Sequence, residues 1–350
     1  MVIDEQKLQA FMGKAVGDIG AAASAVMALI GDELGLYKAL SKKPMTSQEL
    51  AKATKTAERY VREWLGNQAA GGYLEYDAKT KKYYLTPEQS FALADENSPA
   101  FIQGAFQVVS AMFKAQPKLA KNFKTGKGMG WGEHDAALFH GTERFFRPNY
   151  KGNLITSWIP SLHGVEGKLK KGALVADVGC GYGASTILMA EHFPKSKFIG
   201  FDFHPGSIAM AKKRAKEQGL RKNISFKVAR STDYPGKNYD LVTHFDCLHD
   251  MGDPKGAAQH VLRSLHKDGT WMVVEPNAGD APEHNHNPVG RVFYAASTCI
   301  CVPASLAHSG PALGAQAGEA VLSNIILASG FTRVRRATQT PFNMVLEARP

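Results

Sequence analysis

Three glycines at alternate positions, Gly179, Gly181 and Gly183, follow the apolar run Leu174-Val-Ala-Asp-Val178, and an acidic residue, Asp202, closes the next apolar run. Those types at that spacing make a ligand cradle. Glycine lets the backbone turn sharply and approach a ligand that a Cβ would block, while a carboxylate at a strand end can grip both hydroxyls of a ribose. Asp177, beside the turn, would repel a pyrophosphate and attract an ammonium group. Three elements must position these groups: a buried parallel strand through Val175, Ala176 and Val178, a helix from about Ala184 to His192, and a second strand from Lys197 to Phe201 that delivers Asp202.

Two cofactors fit a cradle of this kind. Gly179-x-Gly181-x-x-Ala184 with a later Asp satisfies the loose dinucleotide fingerprint, so a nicotinamide dehydrogenase is one reading. Asp177 and the third glycine favour the other, S-adenosylmethionine (SAM), whose methionine tail carries an ammonium. Asp177, Gly179, Cys180, Gly181, Gly183, Asp202 and Phe203 are therefore candidate cofactor contacts. Downstream, apolar runs at Ile224 to Ala229, Tyr239 to Phe245 and Thr270 to Glu275 alternate with helical patterns at Pro205 to Gln218 and Pro254 to His266, as in a doubly wound α/β sheet. The last two strands, Thr332 to Ala337 and Phe342 to Ala348, are too close for a helical crossover and must form a hairpin.

With that hairpin the chain resembles a class I SAM-dependent methyltransferase: a Rossmann-like seven-stranded sheet with an antiparallel last strand, preceded by a helical winged-helix domain. Phe245-Asp-Cys-Leu-His-Asp-Met-Gly-Asp-Pro254, Glu275-Pro276, Asn287-Pro-Val-Gly-Arg291, Tyr294-Ala-Ala-Ser-Thr298 and Leu313-Gly-Ala-Gln-Ala-Gly-Glu319 are similar to a bacterial subgroup of that class, over most of residues 140 to 350. In related plant-type O-methyltransferases a His-Asp-Trp motif carries the catalytic base, and His249-Asp250-Met251 stands at the matching place. The resemblance implies His249 as general base, a neutral imidazole near pH 7, with Asp250 or Glu275 orienting it; the alternative is a histidine that merely caps a helix or meets a buried carbonyl. It also implies Asp246 beside the cofactor, and Phe146, Arg147 and Tyr150 closing over its methionine, Arg147 pairing with the carboxylate. Glu275, at the end of its strand, and Arg291, Tyr294 and Thr298, on a loop from Asn287 to Ser309, are expected to line the acceptor pocket.

The acceptor expected is a small hydrophobic molecule methylated first on oxygen, with nitrogen and carbon left open and S-adenosylhomocysteine as product. The Asn/Asp-Pro-Pro-aromatic loop of amino-methylating DNA enzymes is missing, neither Cys299 nor Cys301 follows a proline as a cytosine C5 nucleophile would, and the paired glutamates of arginine methylation are absent. Glu283-His-Asn-His286 lacks a third metal ligand at a supporting spacing, so no metal is expected.

A chain of 350 residues suits two domains. Residues 1–97 read as a helical winged-helix dimerisation domain, 98–165 as a helical linker and substrate cap, and 166–350 as the cofactor domain. Thr46-x-x-Glu49 is a capping box for a helix over Ser47 to Ala53. A helix from about Ala57 to Ala70 should bury Tyr60, Val61, Trp64 and Leu65, and Tyr73-Leu-Glu-Tyr with Lys82-Tyr-Tyr-Leu should pair as a hairpin wing. The net charge of +10 raises the question of nucleic acid, with Arg59, Arg62, Lys79, Lys81 and Lys82 as phosphate contacts of a SAM-binding transcriptional regulator. Interleaved Glu58, Glu63, Glu75 and Asp77 argue against that reading. The long helix Leu8 to Gly35, rich in Ala and Gly, is expected to bring two copies together as a homodimer. Phe101, Ile102, Phe106, Val109, Met112 and Phe113 form an apolar stripe, and Thr125 to Gly132 reads equally as a lid or a connection. The apolar stretch Ile19 to Ile30 is too short to span a bilayer, and four cysteines without paired spacing suggest a reduced, cytoplasmic protein.

Overall fold

The computed structural model describes residues 2–350 and divides them into two compact units, 2–110 with 140–148, and 111–139 with 149–350. The stretch 98–165 is thus shared between the two units.

The first unit begins with α1 (Glu5–Glu33), capped by Asp4, whose carboxylate accepts the Gln6 and Lys7 amides at 3.0 and 3.2 Å. It is 29 residues long. By length and composition it could cross a membrane, so its apolar run extends past the Ile19–Ile30 stretch, yet only 17% of that window is buried. After α2 (Leu36–Leu40), the Thr46–Glu49 capping box opens α3 (Ser47–Thr54), and α4 (Glu58–Ala70) follows. These helices bury Leu36, Tyr37, Leu40, Leu50, Val61, Trp64 and Leu65 in one core. Tyr60 does not join it: at 82% exposure it stands on the outer face of α4, because Val61, Trp64, Leu65 and Gln68 define the buried stripe. The wing is β1 (Glu75–Asp77) against β2 (Lys82–Tyr84), tied back by a bridge between Met45 and Tyr83. A second capping box, Thr86 with Gln89, starts α5 (Pro87–Leu93).

Two long helices, α6 (Gln103–Thr125) and α7 (Ala136–Asn153), contribute residues to both units. Phe113 is 63% exposed, so the apolar stripe ends before it. In the first unit the helices touch at glycines: a Cβ on Gly104 would lie 2.4 Å from the Phe145 amide nitrogen, and one on Gly141 2.7 Å from that of Val108.

In the second unit, α8 (Ile159–Ser161) and α9 (Val165–Lys171) lead into β3 (Leu174–Val178), α10 (Ala184–His192), β4 (Lys197–Asp202), α11 (Pro205–Glu217), β5 (Ile224–Val228), β6 (Tyr239–Phe245), α12 (Pro254–Ser264) and β7 (Leu265–Pro276). Then come α13 (Pro288–Ala296), a π-helical turn over Ser297–Cys301, α14 (Val302–Ala307), α15 (Gly318–Ala328), β8 (Arg333–Gln339) and β9 (Asn343–Arg349). The seven strands lie in the order β5-β4-β3-β6-β7-β9-β8, all parallel except β9, which runs antiparallel to both neighbours. The expected α/β sheet and closing hairpin are present. Residues 288–307 are continuous helix, contrary to the loop expected there, because Phe293, Ser297, Ile300 and Ala304 are buried at helical spacing. The sheet buries Val178, Phe201, Val242, Trp271, Val273 and Leu346, and the reversal of strand order beside β3 puts the carboxyl ends of β3, β4 and β6 around one crevice.

Candidate active site

The turn after β3 has positive φ at Gly179 (76°), Gly181 (52°) and Gly183 (81°). The three serve different ends. A Cβ on Gly179 would sit 2.7 Å from Cys247 Sγ and one on Gly183 2.8 Å from Phe226 Cζ, whereas nothing lies within 4 Å of one on Gly181. The outer glycines allow packing, and the middle one leaves the backbone open on the ligand side. The Phe201 carbonyl anchors the turn by accepting the Gly179 and Cys180 amides at 2.8 and 3.0 Å.

Asp202 ends β4 with each carboxylate oxygen taking one amide, Oδ2 from Gly181 at 2.9 Å and Oδ1 from His204 at 2.8 Å. Each oxygen keeps a further lone pair for a hydroxyl. Asp177 has a different role from the one expected. It is 1% exposed, and its carboxylate accepts Ser185 Oγ (2.7 Å), Thr186 Oγ1 (2.5 Å) and Thr243 Oγ1 (3.0 Å). It ties β3 to α10 and, through the register pair Asp177–Thr243, to β6, so no ammonium partner is needed to satisfy it. Burial raises its pKa against those three hydrogen bonds.

Aromatic rings flank the turn. Phe139 stacks on His204 with centroids 4.9 Å apart and lies near-parallel to Tyr182 at 6.4 Å; Trp131 meets Phe139 edge-on at 5.9 Å. His204 also caps α11, its Nδ1 accepting the Ser207 amide at 3.1 Å. Phe203 is half exposed and edge-on to His308 at 6.0 Å. Trp131 donates its indole N–H to Asp250 Oδ2 at 3.1 Å. The glycine-rich segment that carries it is pinned: the Met129 amide bonds the Pro303 carbonyl at 2.9 Å, and a Cβ on Gly128 would collide with the Ala307 backbone.

At the end of β6, Asp246 takes φ of +51° and receives the Asn343 side-chain amide at 2.6 Å and the Tyr150 hydroxyl at 3.2 Å. Burial, then the nearby Glu275 charge, push its pKa up to about 8. Tyr150 packs its ring on Phe245 at 5.2 Å. His249 is 3% exposed on a 3-10 turn (Leu248–Asp250), its Nδ1 hydrogen-bonded to Glu275 Oε2. Glu275 Oε1 accepts the Leu248 amide at 2.8 Å. Glu275, expected in the pocket wall as well as beside His249, is 1% exposed and orients the histidine. Asp250 is engaged by Trp131, with its pKa pushed by burial to about 6.

Burial by itself lowers the His249 pKa, but the Glu275 carboxylate, with Cys301 adding to it, outweighs burial and holds the imidazole well above its ordinary value.

Phe146 and Arg147 fall in the first unit, where Phe146 meets Phe145 edge-on and Arg147 faces Glu143 at 3.3 Å and Glu96 at 3.9 Å. Arg291, Tyr294 and Thr298 lie on the exposed side of the 288–307 helix, the Thr298 hydroxyl bonding the Tyr294 carbonyl at 2.8 Å. Sequence reasoning missed Phe139, His204 and Asn343, which carry no local motif; Tyr182, inside the glycine run, and Cys301 were visible but without assigned roles.

Residues 169–301 match the family model described as a methyltransferase domain, and residues 22–95 the one described as an Rv2258c-like winged HTH domain. The chain is 30% identical over 118 residues to a demethylmenaquinone methyltransferase of Lactobacillus johnsonii, covering 33% of this chain and 48% of that one. It is 42% identical over 116 residues to the aklanonic acid methyltransferase DauC of a Streptomyces species, covering 32% and 52%. The chain therefore spans about half the length of the curated relatives it matches. In fold it is similar to human N-acetylserotonin methyltransferase in complex with SAM, with a TM-score of 0.72 and 16% identity over 100% of this chain and 99% of that one. The open glycine turn, the acidic strand end and the antiparallel last strand agree with these matches: residues 169–301 belong to the class I, SAM-dependent methyltransferase domain family, and residues 22–95 to a winged-helix domain that precedes it.

Proposed function

We propose that the chain transfers a methyl group from SAM to a small, hydrophobic acceptor, with oxygen as the methylated atom and His249 as the general base. The observation that carries the reading is the buried His249–Glu275 pair at the carboxyl ends of β6 and β7. It lies on the strand end whose Cys247 packs against Gly179 of the glycine turn.

When bound, the cofactor supplies a methyl group already activated by its sulfonium charge, so the protein's tasks are alignment and removal of one proton. Gly181 offers open backbone and Asp202 two spare lone pairs for ribose hydroxyls. Asp246, neutral at pH 7, and Tyr150 make up the wall next to the base. With Nδ1–H donated to Glu275, His249 has Nε2 to accept the proton that the acceptor hydroxyl loses as its oxygen takes the methyl. The imidazolium so formed faces the Glu275 carboxylate. Because that carboxylate raises the pKa of His249, the base form grows in at higher pH than for a free imidazole, which suits a phenolic or other weakly acidic hydroxyl.

The test is calorimetric titration with S-adenosylhomocysteine, SAM and NAD, followed by turnover of an acceptor panel. Binding of the first two with no heat from NAD is expected, and His249→Ala should abolish transfer while cofactor affinity stays. Heat from NAD alone would overturn the reading.

A further inference from the structure

In the methyl-transfer reading, on which this inference rests, the cofactor and its product both carry an ammonium group on the methionine tail. Asp177 cannot receive it: the residue is 1% exposed, and three hydroxyls already fill its carboxylate. Four other carboxylates stand at or near the carboxyl ends of β4, β6 and β7. Asp202 ends β4 and keeps lone pairs for the ribose. Glu275 is 1% exposed, with one oxygen bonded to the Leu248 amide and the other to His249. Asp250 lies beyond the base on the 3-10 turn and takes the Trp131 indole. Asp246 is left.

It follows β6, which flanks β3 on the side opposite β4 and Asp202. The register sets Asp177 against Thr243, so Asp246, three residues farther on, comes level with the glycine turn, where its neighbour Cys247 packs on Gly179. With the ribose at Asp202 and open backbone at Gly181 between the two strand ends, the β6 side is left for the amino-acid tail. Unlike Asp177, Asp246 is only partly covered. Its carboxylate has two donors, Asn343 Nδ2 on Oδ1 at 2.6 Å and the Tyr150 hydroxyl on Oδ2 at 3.2 Å. Both donors are uncharged, and a carboxylate oxygen accepts more than one bond, so each keeps room for an N–H. The support is firm: Asn343 is fully buried and takes Asn149 Nδ2 at 2.5 Å, and the Asp246 amide donates to the Val274 carbonyl at 2.7 Å.

We propose that Asp246 receives the cofactor's ammonium group, the part that the sequence suggests for Asp177, with its carboxylate aimed by Asn343 and Tyr150. The titratable groups facing it are Tyr150 from α7, Glu275 from β7, and Cys247 and His249 from the chain that follows β6. Burial and the Glu275 charge keep Asp246 protonated up to about pH 8. An ammonium favours the carboxylate, so binding at neutral pH sends the carboxyl proton to solvent. Affinity therefore rises with pH and levels off above about pH 8.

The experiment is calorimetry of the full chain with three probes: S-adenosylhomocysteine, its analogue with hydrogen in place of the α-amino group, and 5′-methylthioadenosine, which has no amino-acid tail. The unaltered protein should bind S-adenosylhomocysteine at least about tenfold more tightly than the deamino analogue. Near pH 7 the first should release about one proton more than the second, read from the heats in two buffers of different ionisation enthalpy. Asp246→Asn should lose most of that preference and that proton, while its affinity for 5′-methylthioadenosine stays within about twofold. The first two readings need no variant, so the test stands if Asp246→Asn folds poorly. Equal affinity for the two homocysteine probes in the unaltered protein, or a preference kept in Asp246→Asn, overturns the proposal. An equal loss for all three probes also overturns it, since a carboxylate that only holds the fold does not sense the amino group. A chain that binds none of the three removes the methyl-transfer reading and this assignment with it, whereas one that binds S-adenosylhomocysteine without regard to its amino group removes only the assignment.

Discussion

Two histidines five positions apart show how far a residue's chemistry is set by its neighbours. His244 on β6 is wholly buried, accepts the Trp271 indole N–H at 2.9 Å and has no carboxylate partner, so burial pushes its pKa down to about 3. His249, equally buried, has Glu275 and is pushed the other way. Glu275→Gln should therefore slow transfer about a hundredfold and move the acid limb of the pH–rate profile to lower pH, measured with any accepted substrate. Asp246 gives a stability prediction. Its folded pKa, about 8, exceeds the ordinary carboxylate value of 3.8, so between those pH values the folded state binds the extra proton and stability falls as pH rises. Asp246→Asn keeps a residue type tolerant of positive φ and stays neutral. Urea unfolding from pH 4 to 9 should show its advantage over Asp246 growing with pH and levelling off above about pH 8.

Among the elements, α6 and α7 depend on close backbone approach in the first unit. Gly104 and Gly141 face each other's helix with no room for a Cβ. Arg144 on α7 ties that helix instead to Asp32 on α1 at 2.6 and 3.1 Å and to Glu96 after α5 at 3.3 Å. Gly104→Ala should destabilise by about 1–3 kcal/mol, because the added methyl meets backbone atoms that cannot rotate away. Thermal and urea melts read this directly, and unchanged stability would show that the helices separate at no cost. The capping boxes at Thr46 and Thr86 and the β8–β9 hairpin were legible in advance, since each is fixed by residues a few positions apart. The helical state of 288–307 was not: it follows from the burial of Phe293 and Ile300, which depends on the elements that pack against them.

For the whole molecule, α1 carries the strongest signal of a partner. Leu8, Phe11, Met12, Val16 and Ile19 are exposed on it, and added Cβ atoms on Gly13, Gly17 and Gly20 would meet nothing within 4 Å. That surface supports the proposed homodimer, with small residues allowing close helix contact. Ile19→Glu should give a monomer by light scattering while S-adenosylhomocysteine binding survives; a protein already monomeric without the change would overturn the dimer. Arg59 and Arg62, the expected phosphate contacts, are paired with Glu63 at 2.5 Å and Glu58 at 2.7 Å on the exposed side of α4. Salt-dependent affinity for duplex DNA is accordingly not expected, and a fluorescence-anisotropy titration from 50 to about 200 mM salt would reveal it.

Features that depend on neighbours along the chain can be read from residue order: the strand, glycine turn and helix of the cofactor crevice, the acidic end of β4, and the closing hairpin. Which partner each functional group meets is set by the packing of remote segments. Asp177 finds Thr243 across 66 positions, and His249 finds Glu275 across 26. Tyr60 and Phe113, apolar by type, remain in solvent because the buried stripe of each helix is chosen by what packs on it. Protonation and hydrogen bonding respond to burial and to charges within a few ångströms, and those distances exist only once strands remote in sequence lie side by side.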